Sequence, residues 1–273
     1  MTSTSTLTHS GRPVAFLGAT GGCTFACLVR TLTAGIECRA LVRTPSKLWD
    51  MLKSRKELDQ TKIVTLLTIV QGDAKDPDAV KQLLSVEPRL IVFGIGGTPS
   101  FQWSLTTPIT LTDPTICADS MKTLLQVISQ IPTIEPLTIS VISTTGISST
   151  TQDVPGMMKP LYKYGLHIPH QDKQEMERLL TCFSLKKLNW IIVRPSLLTD
   201  STPVKPQSSC PTQKVKPIKV GWEGSTQGPA VGYSISRDDV GKWLFETLIE
   251  PTTVTQHGHV NSEWFGRKVS ITH

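Results

Sequence analysis

A glycine-rich turn near the start of the chain carries the first residues that could do chemistry. It reads Gly18-Ala19-Thr20-Gly21-Gly22-Cys23-Thr24 and lies between a short apolar run and a helix-like segment. Glycines permit a tight turn in which backbone N–H groups approach a phosphate, and the helix N-terminus that follows favours its negative charge. The turn therefore predicts a dinucleotide-binding site contacted by Gly18, Thr20, Gly21, Gly22 and Cys23. A glycine turn without a ligand is the alternative.

Basic residues follow the second apolar run of the chain. This run ends in Leu41-Val42-Arg43, and Lys47 follows at the start of a helix-like segment. In dinucleotide-binding folds an acid at this position binds the ribose 2′-hydroxyl of NAD, whereas a base binds the 2′-phosphate of NADP. Arg43 and Lys47 therefore predict NADP(H) as the cofactor. The alternative is that both are solvated surface charges.

The GATGG turn resembles the atypical short-chain dehydrogenase/reductase superfamily, in particular its NmrA-like and biliverdin reductase B-like members. Gly72-Asp73-Ala74, Phe93-Gly94-Ile95-Gly96-Gly97 and Arg194-Pro195-Ser196-Leu197, which follow later strands, extend the resemblance. It implies that Asp73 and Ala74 meet the adenine, that the chain passes close to the cofactor at Gly94 and Gly96, and that Pro195 and Leu197 pass the nicotinamide. Asp73 could equally be a turn or cap residue. Thr24 departs from the pattern, because the family usually has a third glycine there.

The Tyr and Lys that typical short-chain dehydrogenases carry four residues apart are absent. The three tyrosines, Tyr162, Tyr164 and Tyr233, are followed four residues later by Leu166, Ile168 and Arg237. The resemblance places Lys173 at the active-site lysine position, where it could bind the nicotinamide ribose or pass protons. Spacing alone allows an exposed helix lysine paired with Glu177 instead.

Hydroxyl and imidazole groups supply the other catalytic candidates. Ser143 and Thr144 end the fifth strand, where a hydroxyl could orient a substrate carbonyl, unless they only form a turn. His170 titrates near neutral pH and is expected beside the pocket. His167, His170 and Asp172 lack further ligands and the cysteines form no CxxC pair, so no metal is expected.

Short β-branched runs alternate with amphipathic segments, which is typical of βαβ units and predicts an α/β, Rossmann-like, doubly wound parallel sheet. The predicted strands are Val14–Leu17, Cys38–Val42, Ile63–Val70, Leu90–Phe93, Leu137–Ile142, Trp190–Val193 and a last short strand, Lys268–Ile271. The predicted helices are Gly22–Thr33, Pro45–Leu58, Pro77–Leu84, Pro114–Ile131, His170–Leu185 and Arg237–Leu248, the last capped by Ser236.

The domain prediction is a disordered tail over residues 1–12 followed by one cofactor-binding domain over residues 13–273. An irregular stretch, Ser201–Gly232, predicts a small substrate cap around residues 200–233. The net charge of +6 is small and without a basic block, which argues against a nucleic-acid partner. With no apolar run of spanning length, a cytoplasmic protein with a small-molecule substrate and no membrane partner is expected.

Three functions fit these residues. The leading hypothesis is an NADP(H)-dependent oxidoreductase that transfers hydride to or from a small, fairly apolar metabolite, with the proton coming from His170, Lys173, a Thr144-bound water or solvent. A redox-neutral isomerase, cyclase or rearrangement catalyst on the same scaffold is the second, since some fungal relatives act in secondary metabolism. A non-catalytic, NADP-sensing regulator resembling NmrA is the third.

Overall fold

A computed structural model describes residues 11–97, 99–101, 109–132, 135–160, 167–200, 216–250 and 262–273. Its strands are β1 (Val14–Leu17), β2 (Cys38–Val42), β3 (Leu67–Gln71), β4 (Leu90–Phe93), β5 (Pro99–Phe101), β6 (Ile109–Leu111), β7 (Leu137–Ile142), β8 (Leu188–Pro195), β9 (Leu197–Thr199), β10 (Lys219–Trp222), β11 (Ser234–Ser236) and β12 (Arg267–Thr272). Its α-helices are α1 (Gly22–Thr33), α2 (Pro45–Lys53), α3 (Gln60–Leu66), α4 (Pro77–Leu83), α5 (Ile116–Gln130), α6 (His167–Cys182) and α7 (Arg237–Leu244).

The central sheet has the strand order β10-β12-β8-β7-β4-β1-β2-β3. All neighbours are parallel except β10, which pairs antiparallel with β12. The chain therefore has the doubly wound, Rossmann-like α/β fold that its alternating pattern predicts. Because parallel strands end at one edge, Leu17, Val42, Phe93 and Ile142 bring their following loops together there.

Two apolar cores cover the two faces of the sheet. Phe16 and Val92 face the core that contains α1 and α7, whereas Leu17 and Phe93 face the core that contains α4, α5 and α6. This alternation follows from the two-residue period of a strand, and all four side chains are fully buried. Such burial contributes about 1.5–3 kcal/mol for each side chain, so the sheet is a rigid base for the loops at its edge.

Helices α1 and α7 approach each other closely at Gly241. A Cβ at Gly241 would lie 2.5 Å from the Cβ of Ala26 and 2.7 Å from the backbone nitrogen of Cys27. Arg30 and Asp238 form a two-pronged ion pair across the same contact, at 2.9 and 2.8 Å. Ser236 caps α7 as predicted, its hydroxyl accepting a hydrogen bond from the Asp239 N–H.

The predicted strand Ile63–Val70 is wrong in its first half, which forms α3. The Asp59 carboxylate caps this helix by accepting the Thr61 N–H at 3.0 Å, and Ile63 is buried while Val64 is 69% exposed. Helix capping therefore prevails over the β-branched composition of this segment. The preceding helix is also shorter than predicted, since α2 ends at Lys53. Other boundaries move by only a few residues.

One strand of the central sheet lies within the segment predicted as a cap, around residues 200–233. Strand β10 lies within Ser201–Gly232 and forms an edge of the central sheet, whereas residues 201–215 are outside the described residues. Trp222 at the end of β10 stacks edge-on against Trp264, which meets Trp243 in the same way. These aromatic contacts fix the edge strand to the core.

The start of the described chain is anchored. Arg12, inside the predicted tail, donates hydrogen bonds to the carbonyl oxygens of Glu87, Pro88 and Pro136. Among the described residues, no helix is both long and apolar enough to cross a membrane.

Candidate functional site

The glycine turn between β1 and α1 has the geometry that close approach to a ligand requires. Gly18 adopts φ of +79°, and a Cβ there would lie 2.6 Å from the carbonyl oxygen of Gly94. The Gly21 N–H closes the turn by donating to the Gly18 carbonyl at 2.8 Å. Only glycine fits at position 18, because both the backbone angle and the contact exclude a side chain.

A cleft of about 430 Å³ runs along the sheet edge from this turn. Most of the predicted cofactor contacts line it: Gly18, Thr20, Gly21, Gly22, Cys23, Arg43, Lys47, Asp73, Ala74, Gly94, Gly96 and Lys173. Arg43 follows β2, while Ser143 follows β7. Three strand spacings of about 4.8 Å separate these two ends, or roughly 14 Å.

Thr24 packs into the space that Gly94 leaves. Thr24 is 1% exposed, and a Cβ at Gly94 would come within 1.8 Å of its hydroxyl oxygen. Thr24 on α1 is larger than the glycine that the family usually has there. Gly94, after β4, has no side chain and so leaves room for it. Thr24 therefore does not close the cleft.

Arg237 is a cleft residue that the sequence pattern did not indicate. Its side chain lies over Gly22, where an added Cβ would be 2.4 Å from the Arg237 Cδ, and it donates to Asp200 at 2.7 Å. It is the first residue of α7, a segment for which the sequence predicts only a capped helix. Arg237 is thus the fourth cation among the described lining residues, after Arg43, Lys47 and Lys173, and it lies against the turn.

Arg43 and Lys47 are exposed at one end of the cleft. Within the described part of the chain neither forms an ion pair. Asp73 lines the cleft and also closes a turn, accepting the Lys75 N–H at 2.9 Å, while the neighbouring Asp76 caps α4. The turn interpretation of Asp73 is therefore correct, and its place in the cleft is compatible with the cofactor interpretation too.

Lys173 on α6 is held firmly at the other end of the cleft. Its ammonium donates to the carbonyl oxygens of Ile95 at 2.8 Å and Ile142 at 2.9 Å, which follow β4 and end β7. The alternative pairing with Glu177, which the spacing allowed, is not formed. Pro169 stands four residues before Lys173, where typical short-chain dehydrogenases have tyrosine.

Ser143 lines the cleft, but its hydroxyl is used elsewhere. It is buried and donates to Glu177 at 2.5 Å. Thr144 lies outside the cleft and donates to the Thr145 carbonyl. Ser143 is thus engaged with α6, and the structure does not bring Thr144 to the predicted catalytic position.

Two residues of the Arg-Pro segment also lie outside the cleft. Pro195 ends β8 and pairs with Ile271 on β12, inside the sheet. Leu197 is 41% exposed, whereas the next residue, Leu198, lines the cleft. The extended conformation of β9 turns successive side chains to opposite sides, so a shift of one residue exchanges the two leucines.

His170 lines a second cavity, of about 540 Å³, rather than the cleft. We call this cavity the polar recess; it is formed by Gly146, residues 148–154, Lys159, His167, His170, Gln171 and Gln174. Burial, reinforced by His167, lowers the pKa of His170 to about 4. His170 is therefore neutral at physiological pH and does not carry the titratable proton predicted for it.

A buried ionic cluster links the elements behind the site. Arg194 binds Glu177 through two hydrogen bonds, at 2.9 and 2.6 Å, and Glu223 at 2.5 Å. Asp153 lies 4.0 Å from Arg194, and Lys268 is within 4.0 Å of both glutamates. The cluster joins β8, α6, the loop after β7 and the residue after β10, and local sequence patterns did not reveal it.

Two acids of this cluster, Asp153 and Glu223, have pKa values shifted in opposite directions. Burial raises the pKa of the Asp153 carboxyl, against the hydrogen bond from Gly146 and the charge of Arg194. Burial also acts on Glu223, but the Ser148 hydrogen bond and the Arg194 charge outweigh it and hold its pKa below 4.5. The burial of Asp153 is thus less well compensated than that of Glu223.

Asp172, which sequence analysis considered only as a possible metal ligand, caps another helix. Its buried carboxylate accepts the N–H groups of Cys117 at 3.0 Å and Ala118 at 2.8 Å, at the start of α5. The capping residue lies 54 positions away from Ala118, so no local motif could indicate it. Within the described ranges, no group of three or more potential ligands could hold a metal ion.

The described residues fit a bound dinucleotide. The Ser120 hydroxyl on α5 lines the cleft, is fully buried and has no hydrogen-bond partner among the described residues. Gly96 also lines the cleft, and a Cβ there would meet no atom within 4 Å. The turn offers backbone N–H groups near Arg237, and Arg43 and Lys47 lie at one end. Donors, space and positive charge therefore coincide in one cleft.

Comparison with characterised proteins agrees with this geometry. A family described as NAD(P)H-binding matches residues 18–251. The chain is 41% identical to a protein named reductase pytE from Aspergillus terreus, over 97% of this chain and 99% of that protein. It is 34% identical to a protein named oxidase pynE from Aspergillus niger, over 95% of this chain and 98% of that protein.

Solved structures share the fold at low sequence identity. The anaerobillin reductase ChuY from Escherichia coli O157:H7 is 16% identical with a TM-score of 0.57, covering 95% of this chain and 96% of that chain. Gre2 from Candida albicans, solved with NADPH, is 14% identical with a TM-score of 0.52, covering 94% and 77%. With the motifs, cleft and full-length relatives in agreement, the chain belongs to the NAD(P)H-binding family of atypical short-chain dehydrogenases/reductases.

Proposed function

We propose that this protein is an NADP(H)-dependent oxidoreductase that acts on a small, fairly apolar metabolite without a Tyr–Lys pair. The observation that carries the proposal is the cleft at the sheet edge, with a glycine turn, two exposed cations at one end and a fixed lysine at the other. The two Aspergillus relatives, named a reductase and an oxidase, support oxidoreductase chemistry. Their fungal origin supports a role in secondary metabolism.

The preference for NADP(H) follows from Arg43 and Lys47. A guanidinium can bind a phosphate through two parallel N–H bonds, whereas the ribose hydroxyl of NAD offers no such charge. In the described part of the chain, neither side chain is neutralised by an acid. A 2′-phosphate at this end of the cleft would provide the missing anion.

The residues at the Lys173 end of the cleft serve to orient the reactants more than to transfer protons. A bound reduced nicotinamide supplies the hydride equivalent. Lys173 uses two of its three N–H donors on backbone carbonyls, which leaves the third for a ribose hydroxyl or a water molecule. The proton that balances hydride transfer then comes through this lysine or from solvent, because His170 and Thr144 lie outside the cleft.

Exposed apolar residues beside the cleft support the proposal that part of the substrate is apolar. Leu197, Val231 and Tyr233 are 41%, 43% and 54% exposed and lie on or just before the paired strands β9 and β11. Leu198 from the same pair lines the cleft itself. An apolar metabolite held there would bury part of this surface.

The test is turnover of the nicotinamide by the purified full-length protein. NADPH is mixed with a panel of quinones, flavins and enones while the absorbance of the reduced nicotinamide is followed. Oxidation of NADPH that requires both protein and acceptor supports the proposal. A panel that never changes the nicotinamide absorbance, although NADPH binds, counts against it.

Pro169 favours a second candidate, a redox-neutral isomerase, cyclase or rearrangement catalyst. A proline at the tyrosine position removes the hydroxyl that typical relatives use for proton exchange, while the cofactor cleft is retained. Such a protein would convert a metabolite with no net change in NADPH. Mass spectrometry of products beside the absorbance measurement separates the two candidates.

A further inference from the structure

The polar recess and the cofactor cleft share the same two structural elements. Ser143, just after β7, lines the cleft, and Gly146, three residues later, lines the recess. On α6, Lys173 lines the cleft, while Gln174 lines the recess. The recess therefore opens next to the end of the cleft that lies opposite Arg43.

One stripe of α6 forms a wall of the recess. His167, His170, Gln171 and Gln174 are spaced three or four residues apart, which places them on one helical face. All four carry hydrogen-bonding side chains. The facing loop, residues 148–154, adds hydroxyl and amide groups, and among the described lining residues Val154 is the only one with an aliphatic side chain. Such a lining favours a ligand with several hydrogen-bonding atoms.

The loop that forms the other wall is held at several points. The Asp153 carboxylate accepts the Gly146 N–H at 2.9 Å, closing the loop on itself, and the Gln174 amide donates to the Ile147 carbonyl at 3.1 Å. Asp153 is 3% exposed and lies beside the buried Arg194. The wall is therefore preorganised, which reduces the entropy lost when a ligand binds.

The charges around the recess are nearly balanced. Asp153 is turned toward Arg194, and Lys159 is exposed and donates to the Gln152 side chain at 2.9 Å. His170 is neutral, as described above. Lys159 has no carboxylate partner among the described residues but is exposed, and most of the other described lining side chains are hydroxyls and amides, so an uncharged ligand fits better than an ion.

We propose that the polar recess binds the uncharged, hydrogen-bonding end of the substrate, an amide, lactam or hydroxyl group. This assignment rests on the proposed function, because it makes the recess the second half of a substrate site. The substrate is then amphipathic: its apolar part lies against the β9–β11 surface, and its polar end enters the recess. A purely apolar compound would make no use of the hydrogen-bonding groups that line the recess.

The test compares two small probes of the same ring size, 2-pyrrolidinone and cyclopentanone. Both are titrated against full-length protein saturated with NADP⁺, and dissociation constants are measured by ligand-observed NMR. The lactam is expected to bind several-fold more tightly than the ketone. Gln171→Leu, an exposed change on the recess face of α6, should weaken the lactam by about fivefold, the loss expected for one neutral hydrogen bond, and change the ketone by less than about twofold.

Gln126→Leu is the matched control, since Gln126 is also exposed but lies on α5 away from the recess. Equal affinity of the two probes, or equal effects of the two substitutions, would overturn the proposal. Neither measurement uses hydride transfer. Failure of the protein to bind NADPH or to turn it over therefore counts against the proposed function, whereas failure of lactam selectivity counts against the recess assignment.

Discussion

The two halves of the molecule build their parts of the site in different ways. In the first half, residues 14–97, the site consists of turns that directly follow β1, β2, β3 and β4, and backbone geometry shapes it. In the second half, residues 137–273, side chains far apart in the chain meet in a buried ionic cluster, as Arg194 and Glu223 do. Local conformation therefore shapes the cleft beside the glycine turn, whereas long-range charge pairing holds together the elements behind its other end.

The largest expected effect is loss of the central cation of the second half. Arg194→Met would leave the buried Glu177 and Asp153, and the partly buried Glu223, without their main counter-charge. We expect the free energy of unfolding to fall by about 3–5 kcal/mol, as for other broken buried pairs. Urea unfolding followed by circular dichroism measures it.

Arg30→Met is the matched control, because Arg30 also binds one carboxylate through two hydrogen bonds but is 27% exposed. We expect it to cost about 0.5–1 kcal/mol. Equal losses in the two variants would show that burial does not distinguish the ionic cluster from a surface pair.

In the first half of the molecule, the counterpart of Arg194→Met is a substitution that strains the backbone of the glycine turn. Gly18→Ala combines left-handed φ with a clash against the Gly94 carbonyl, so we expect a loss of about 2–4 kcal/mol and much weaker NADPH binding. Gly35→Ala has a similar φ of +75° but meets nothing within 4 Å. It should cost only about 1–2 kcal/mol and leave NADPH affinity unchanged. Thermal unfolding of both variants measures the cost of backbone strain, and NADPH titration measures whether the binding site is lost.

A smaller effect is expected where the two halves meet at α5. Asp172→Ala removes the acceptor for two N–H groups and should cost about 1–2 kcal/mol, the range of lost helix caps. Asp119→Ala, in the exposed first turn of the same helix, should change stability by less than about 0.5 kcal/mol. If urea unfolding gave equal losses of stability for both variants, Asp172 would stabilise α5 no more than an exposed acid of its first turn does.

The smallest expected effect is a pH dependence from Glu223. Its folded pKa is below the ordinary 4.5, so its contribution is present above that value and is lost as pH falls through the folded pKa. Glu223→Gln should therefore flatten the fall in urea midpoint between pH 5 and 3, in comparison with the unchanged protein. An unchanged slope would contradict the pairing with Arg194.

The same contrast explains how far the sequence could predict the structure. β1, β2, β4 and β7 have their predicted bounds, because short, mostly apolar runs are typical of buried parallel strands. Ile63 was misassigned since a local cap at Asp59 outweighs strand composition. The cleft residues near the glycine turn follow from motifs.

The ionic cluster and the recess could not be predicted in the same way. Helical spacing suggests Lys173 as a local partner for Glu177. Its actual partners, Ser143 and Arg194, lie 34 and 17 residues away in the chain. Leu198 replaces Leu197 because strand alternation decides which side chain enters the cleft. Such choices depend on tertiary register, which spacing in one sequence does not specify.

The most direct measurement is calorimetric binding of NADPH and NADH to the unchanged protein, Arg43→Ala and Lys53→Ala. Lys53 is an exposed control on α2 that does not line the cleft. We predict that the unchanged protein prefers NADPH and that Arg43→Ala weakens NADPH by about 10–100-fold, the range for a charge-assisted hydrogen bond, while NADH changes by less than about twofold. Lys53→Ala should bind as the unchanged protein does. Equal loss for both nucleotides, or no loss for either, would contradict a phosphate site at Arg43.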